Sequence, residues 1–389
     1  MTNKELLALS YEDLLKLIPH HKVKMYQQFV TEMNRREKAV RFDRTDTFDT
    51  FTHKPGTEEL YGYGFKVDGK SVPYFHPNRS FHDEIIWLNK NLYYNEKVCF
   101  EDRLINSCLV KFYGPSNTLR IMSRDTGIGW VSYEKLVNDP AYRLKVMENL
   151  HRAVQNGEKI FGTTELRTSL QTASRNYGRE INTEFDKKYG LFDPNRKGRS
   201  GDIFYWFTLI GPKFVKFYAT KPTMEQSFRF LSSFRGIGNY YGYHLSSNLA
   251  RMPYLGTLLS REGETGNLDE DDDFIATGVG AMDTVKWFLE DYIKSPSSAV
   301  GDRLVNAVKR DQKNFICGGD DLAWETLKAV SELGRFTTFG CEISLCQFSV
   351  FRRLKDKKKL AWKRADAPIS KEIDKCDIND DDSQQLSLF

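Results

Sequence analysis

The sequence predicts a mostly α-helical protein with a small irregular or β-containing insertion. From residue 139 onward, apolar residues recur mainly at helical spacing, and residues 5–40 show the same pattern. Between these stretches, residues 41–135 are rich in aromatic and turn-forming residues. We find no repeat at a fixed period, which argues against a solenoid or a propeller.

Residues 1–40 are expected to form N-terminal helices. Ser10 is followed by Tyr11, Glu12 and Asp13, which indicates a helix start with acidic residues in the first turn. In the mixed region 41–135, Phe65 precedes the segment Val67–Val72, and Asp68-Gly69 within it predicts the turn of a short β-hairpin.

Residues 136–364 are expected to form the helical core. Six runs in it have helical periodicity: 141–155, 224–234, 240–250, 281–293, 322–333 and 343–354. An exposed acidic loop is predicted between residues 262 and 273. Residues 365–389 are polar and acidic apart from their end, which predicts a disordered tail.

Composition excludes several classes of protein. The 57 Lys and Arg against 53 Asp and Glu give a formal net charge of +4, too small an excess to prove an anionic partner. No run of about eighteen apolar residues occurs, which argues against a membrane span. The six cysteines lack CxxC spacing, so neither a metal site nor a cofactor is expected. We therefore expect a cytoplasmic protein without a secretion signal.

The most specific motif is the C-terminal pentapeptide, whose residues are Gln385, Leu386, Ser387, Leu388 and Phe389. It resembles the peptide by which many bacterial DNA-replication and repair proteins bind the sliding clamp of the replicative polymerase. An extended peptide can fill two apolar pockets of a groove while a Gln amide fixes its register. The alternative interpretation is a frayed terminus that happens to be apolar.

Two segments combine a tight glycine turn with a following helix. The first contains Gly236 and Gly238, and the second contains Gly278 and Gly280. Free N–H groups at a helix start favour an anion such as a DNA phosphate. The second turn resembles the hairpin of helix–hairpin–helix DNA-binding proteins. Ordinary helix caps would explain either turn equally well.

A third segment, residues 339–353, predicts an amphipathic helix that carries Glu342 and Gln347 beside Cys346. These side chains can form a small polar pocket, or Glu342 can simply be a first-turn acid. Eight basic residues then lie between positions 352 and 364 and can contact DNA phosphates or form a solvated helix end. The candidate phosphate-binding residues are Arg352, Arg353, Lys357, Lys358 and Lys359.

In the order in which they occur, the three segments resemble the phage-associated alpha-glutamyl/putrescinyl thymine pyrophosphorylase family. The resemblance covers about residues 95–355, and the motif Glu-x-x-Leu-Cys-Gln-Phe at 342–348 carries much of it. The family tends to have Gln or Glu where this chain has His244, Asp at Asn248 and Glu at Gln347. The resemblance implies a helical fold like that of DNA glycosylases, with a helix–hairpin–helix-like turn.

The resemblance also implies a reaction, in which an amino acid or polyamine is transferred onto pyrophosphate-activated 5-hydroxymethyluracil in DNA. The enzyme would extrude the base, stabilise the leaving pyrophosphate and exclude water. Glu342 would deprotonate or orient the amine, and Gln347 and Asn248 would read the pyrimidine edge. His244 would assist proton transfer or the leaving group. A packed core histidine and a plain helix-face amide are the alternatives for His244 and Asn248.

The partners expected on these grounds are double-stranded DNA, an amine co-substrate and a sliding clamp of the host or of a phage, with no membrane. The protein would then act at the nucleoid, in the host cytoplasm if a phage encodes it. Two other functions remain open: a non-enzymatic adaptor that binds DNA and the clamp, and a helical DNA glycosylase. No acid lies at the short spacing after Gly280 that such a glycosylase normally uses, and Asp302 is a distant candidate.

Overall fold

The computed structural model describes most of the helical part of the chain and a short hairpin. The described residues are 1–41, 65–67, 70–72, 83–113, 117–158, 211–220, 222–234, 237, 239–250, 252, 274–331 and 334–356. Within them the chain is mostly α-helical, which confirms the predicted fold class. The likeness to DNA glycosylases stays a prediction.

Among the described residues from 3 to 155 there are eight helices and the hairpin. In chain order they are α1 (Asn3–Ala8), α2 (Tyr11–Lys16), α3 (His20–Arg41), β1 (Phe65–Val67), β2 (Lys70–Val72), α4 (Asp83–Leu88), α5 (Phe100–Tyr113), α6 (Asn117–Met122), α7 (Tyr133–Asn138) and α8 (Pro140–Gln155). A π-helical turn, Asn89–Tyr93, follows α4 directly.

Further helices follow in the described part of the second half of the chain. They are α9 (Met224–Ser232), α10 (Asn239–Leu249), α11 (Val279–Leu289), α12 (Ser298–Arg310), α13 (Gln312–Phe315), α14 (Asp321–Ala329) and α15 (Thr338–Asp356). Residues 211–218 are also helical. Each of the six predicted helical runs overlaps one of the observed helices, with ends that differ by up to five residues.

Local sequence explains how several of these elements begin. Ser10 caps α2, and its Oγ accepts a hydrogen bond of 3.0 Å from the N–H of Asp13, as the sequence predicted. Strands β1 and β2 pair antiparallel, with Val67 opposite Lys70, so the predicted hairpin is also confirmed. Helix α5 falls in the region expected to be mixed and turn-rich. Its residues 103–110 are all buried, and the apolar residues among them at 104, 105, 108 and 109 recur at helical spacing.

The chain divides into two compact units. The first consists of residues Met1–Asp83 with Asp272–Asp377, and its core is an aromatic cluster on α3, α11 and α15. Tyr26 and Phe29 of α3 pack there against Phe348, with ring centroids 5.3 and 5.5 Å away. The N-terminal helices thus share one core with α11 and α15, and each buried aromatic side chain stabilises that core by about 1.5–3 kcal/mol.

The second unit contains helices α5 to α10. In it α9 packs on α10, and aromatic rings of the helical segment 211–218 pack on α9. The rings of Phe217 and Phe230 stack with centroids 3.9 Å apart. Phe214 contacts Phe230 and Phe234 at 5.3 and 5.5 Å. The hydroxyl of Tyr93 donates a hydrogen bond of 2.9 Å to the carbonyl of Asn248, which ties the π-helical turn to α10.

Candidate functional site

The glycine turn at the start of α11 is the most organised polar feature of the first unit. Gly278 is the N-cap of α11 and has extended backbone geometry, but it has no side chain with which to cap the helix. The N–H groups of Thr277 and Gly278 are bound instead by side chains from two other helices, α12 and α15.

Asp302 of α12 binds the residue before the glycine. Its Oδ1 accepts hydrogen bonds from the backbone N–H of Thr277 at 2.8 Å and from the Thr277 hydroxyl at 2.6 Å. Burial raises the pKa of Asp302, and the two hydrogen bonds from Thr277 oppose that rise. The Asp302 residue remains partly exposed, so this carboxyl group lies at the surface end of the turn.

Glu342 of α15 binds the next residue of the turn. The N–H of Gly278 donates a hydrogen bond of 3.1 Å to its Oε1. Only 2% of Glu342 is exposed, so in this arrangement it caps α11 rather than facing a bulk-solvent cleft. Two carboxyl groups from different helices thus accept consecutive N–H groups at a helix N-terminus, where the helix dipole favours negative charge.

Gly280 allows α11 to approach α15 closely. A Cβ atom at this position would lie 2.3 Å from the Sγ of Cys346, which is far inside van der Waals contact. Burial raises the pKa of the Cys346 thiol well above its usual value, and the charge of Glu342 adds to the rise. The second glycine of the turn thus has a packing role, and the neighbouring thiol stays protonated at neutral pH.

The arginines of α15 also have partners within the first unit. The Arg352 guanidinium forms an ion pair of 2.7 Å with Asp283 and lies over the ring of Trp287, 5.0 Å from its centroid. The Nε of Arg353 donates a hydrogen bond of 3.4 Å to the carbonyl of Ser349. A DNA phosphate at Arg352 would therefore compete with Asp283, and one at the Gly278 N–H would compete with Glu342.

The remaining candidates from the sequence lie in the second unit or outside the described residues. His244 and Asn248 are in α10, where every residue from 241 to 249 is buried, and they are 6% and 0% exposed. Gln347 is half-buried on α15, in the same unit as Glu342. The candidates outside the described residues are Gly236, Gly238, Lys357, Lys358, Lys359, Gln385, Leu386, Ser387, Leu388 and Phe389.

Sequence reasoning gave too little weight to Asp302. It lies 22 residues after Gly280, counted along the chain, and no local motif marks it. The second turn of α12 brings its carboxyl group to Thr277. Gly301 beside it permits close packing on α11, because a Cβ there would lie 2.3 Å from the Sδ of Met282. The signal available in the sequence was an acidic residue in α12, the next helix after the one that begins at the glycine turn.

Comparisons with protein-family models, with curated proteins and with solved structures found no match for this chain. Within the described residues, no helix is long and apolar enough to cross a membrane. The same part of the chain contains no group of three or more His, Cys, Asp or Glu side chains arranged to hold a metal ion.

Proposed function

We propose that this protein modifies a pyrimidine base in DNA by transferring an amine onto pyrophosphate-activated 5-hydroxymethyluracil. One observation carries the proposal: two of the three segments that resemble the transferase family meet in space. The turn at Gly278 and Gly280 packs on the helix that bears Glu342 and Cys346, and Glu342 accepts the Gly278 N–H. Segments 64 residues apart in the chain thereby form one polar site.

In the proposed reaction the C–O bond to pyrophosphate breaks and its electron pair leaves with the pyrophosphate anion. The amine lone pair then forms a C–N bond to the exocyclic methylene carbon, and the amine loses a proton. We assign the acceptance of that proton to Asp302, because it is partly exposed and its raised pKa brings it closer to neutrality. Glu342, which is buried, would instead hold the turn in place.

The test uses duplex DNA that contains the pyrophosphorylated base, together with isotopically labelled glycine, glutamate or putrescine. The expected result is label retained in the nucleoside fraction and one pyrophosphate released for each label, both detected by mass spectrometry and a pyrophosphate assay. Heat-treated protein and unmodified DNA serve as controls. Pyrophosphate release without retained amine would exclude the transferase.

A DNA glycosylase is the second candidate, and the position of Asp302 favours it. An acid hydrogen-bonded to the residue before a Gly-Val-Gly turn could assist water attack at the sugar carbon as the N-glycosidic bond breaks. This activity would leave alkali-labile abasic sites in the same DNA and no amine label. A non-enzymatic adaptor would bind the DNA and produce neither.

We also propose that residues 385–389 bind a bacterial sliding clamp. Removal of these five residues should abolish binding to a purified clamp in isothermal titration calorimetry. Phe389→Ala should weaken binding at least tenfold because a buried aromatic anchor is lost, whereas Ser383→Ala, just outside the pentapeptide, serves as the control. Equal binding by the full chain and the shortened chain would refute this part of the proposal.

The lysines at 357–359 are proposed to contact the DNA backbone. Each phosphate contact contributes about 0.9 to the slope of log K against log salt concentration. Neutralising the three lysines should therefore lower that slope by about 2 to 3, measured by fluorescence anisotropy between 50 and 200 mM salt. An unchanged slope would show that they do not contact phosphate.

A further inference from the structure

The first unit contains a cluster of two arginines and a tyrosine that the proposed reaction does not use. Tyr11 begins α2, and Arg303 and Arg310 belong to α12. The central carbon of each guanidinium lies 4.7 Å from the centroid of the Tyr11 ring. We call these three residues the arginine–tyrosine cluster. They belong to the same compact unit as the α11 turn.

The spacing of the two arginines places both of them on one side of α12. Residues seven positions apart in a helix differ by only about 20° around its axis. Arg303 is half-buried, and its Nη2 donates a hydrogen bond to the carbonyl of Leu9, just before α2. Arg310 is exposed. One guanidinium is thus fixed against the start of α2, and the other covers the same ring from the surface.

The positive charge of the cluster is not balanced by a carboxylate. Among the described residues, neither Arg303 nor Arg310 forms an ion pair with an acidic side chain. The acidic residues next to the cluster in the chain all bind other groups: Glu12, Asp13, Asp302 and Asp311. The two guanidinium carbons can be no farther apart than twice 4.7 Å. Like charges at such a separation repel each other, and an anion between them would remove that repulsion.

Stacking on the ring leaves hydrogen-bond donors of the cluster available. A guanidinium that covers an aromatic ring with its face keeps its N–H groups at its edge, where they match the oxygens of a phosphate. The half-buried Tyr11 has a hydroxyl that forms no hydrogen bond to any described residue. A phenol hydroxyl can donate one hydrogen bond. Two guanidinium groups and one hydroxyl can therefore bind a single phosphate group.

We propose that the arginine–tyrosine cluster binds a phosphate of the DNA backbone and thereby positions the strand beside the α11 turn. Asp302, which accepts two hydrogen bonds from Thr277 of that turn, directly precedes Arg303 in α12. Phosphate contacts fix the register and orientation of a protein on DNA. The inference rests on the proposed function in taking DNA as the source of the phosphate. Free pyrophosphate has the same chemistry, and the test separates the two sources.

The test measures the affinity of the full chain for a labelled DNA duplex by fluorescence anisotropy at several salt concentrations. Arg310→Gln should reduce the magnitude of the slope of log K against log salt concentration by about 0.9, because one phosphate contact is lost. Arg152→Gln removes an exposed arginine from α8 and is the matched control, with an expected slope equal to that of the wild type. A wild-type slope in Arg310→Gln would overturn the proposal.

A second variant keeps the ring on which both arginines lie. Tyr11→Phe removes only the hydroxyl, so the packing of α2 on α12 should be retained, which urea denaturation checks for both variants. Its affinity for the duplex should fall about fivefold, because one hydrogen bond to the phosphate is lost. The salt slope should stay at the wild-type value, since no charge is removed. Wild-type affinity in Tyr11→Phe would contradict the proposed site.

Competition with pyrophosphate at constant ionic strength identifies the source of the phosphate. It should displace the duplex no better than chloride does. Stronger displacement from the wild type but not from Arg310→Gln would assign the cluster to free pyrophosphate and refute the DNA site.

The amine-transfer assay separates this inference from the proposed function. If the wild type transfers the amine and Arg310→Gln keeps the wild-type salt slope, the cluster proposal fails and the transferase proposal stands. If the slope changes as expected but no amine is transferred, the DNA site stands and the transferase proposal fails. Absence of duplex binding by the wild type would overturn both.

Discussion

The two segments that contribute the candidate catalytic residues have opposite surroundings. At the α11 turn, polar groups converge: Asp302 and Glu342 accept backbone N–H groups from consecutive residues. Helix α10 carries His244 and Asn248 inside a fully buried stretch, and both are less than a tenth exposed. A polar residue in a motif can thus organise a site or complete a core, and burial by neighbouring helices distinguishes the two roles.

The largest difference between these two regions should be in how far a substitution lowers the rate of amine transfer. Asp302→Asn keeps an oxygen acceptor for Thr277 but cannot take up a proton, so we expect amine transfer to slow by about 100-fold or more. His244→Gln should stay within about threefold of the wild-type rate, since only 6% of His244 is exposed. Rates are compared per folded molecule in the labelled-amine assay. An equal loss in both variants would support the catalytic role that the family resemblance implies for His244.

A second contrast concerns the glycines of the two segments. Gly280→Ala places a Cβ 2.3 Å from the Cys346 Sγ and should destabilise the protein by about 1–3 kcal/mol. Gly242→Ala in α10 meets the Ser232 hydroxyl at 2.5 Å. Because that hydroxyl can rotate away and Ala favours a helix by about 0.5–1 kcal/mol, its net cost should be under about 1 kcal/mol.

Urea denaturation measures both glycine variants. The double variant Gly280→Ala with Cys346→Ala removes the obstructing sulfur and should recover part of the loss. No recovery would mean that the cost comes from the backbone of the turn instead of from the contact with Cys346.

Loss of the hydrogen bond that caps α11 should lower the stability of the protein by an amount similar to that for Gly280→Ala. Glu342→Ala leaves the Gly278 N–H without its acceptor and should cost about 1–3 kcal/mol of stability. Glu342→Gln retains an acceptor oxygen and should cost less than half as much. Hydrogen exchange at Gly278 should accelerate in the alanine variant more than in the glutamine variant. Equal exchange in both would indicate that Glu342 does not protect this N–H.

The smallest expected effect is on how the free energy of unfolding depends on pH. Burial raises the pKa of folded Asp302 above its ordinary value of 3.8, so the folded state holds the proton more tightly than the unfolded chain. Wild-type stability should therefore fall relative to Asp302→Asn as pH rises from below 3.8 through the higher folded pKa. Paired urea titrations between pH 3.5 and 6.5 measure this difference. If the free energy of unfolding of the wild type instead rose relative to that of Asp302→Asn at higher pH, the raised pKa would be contradicted.

Much of the helical architecture could be predicted from the sequence because it depends on neighbours in the chain. The Ser10 cap, the pairing of β1 with β2 and the helix over 343–354 all follow from spacing within a few residues. Helix α5 was not predicted, although its apolar residues at 104, 105, 108 and 109 recur at helical spacing, because turn-forming residues are common in the region around it.

The sequence predicted some residues of the candidate site but not how they are arranged. Gly278, Gly280 and Glu342 stood out by motif, but the phosphate role suggested for the two glycines does not follow from their contacts: one N–H meets Glu342, and the other position permits contact with Cys346. Asp302 carried no motif at all. Which residues share a site depends on how α11, α12 and α15 pack, and no spacing rule within one helix contains that information.

By itself the sequence determined the mostly helical class, the starts of several helices and the residues whose side chains could bind or catalyse. Propensity, capping and periodicity act over one or two turns, so they can be read from the sequence. Only the tertiary structure decided that Thr277 and Gly278 would bind two carboxyl groups and that His244 would be enclosed. Those outcomes depend on burial and on contacts between residues 25 and 64 positions apart, which form only when separate helices pack.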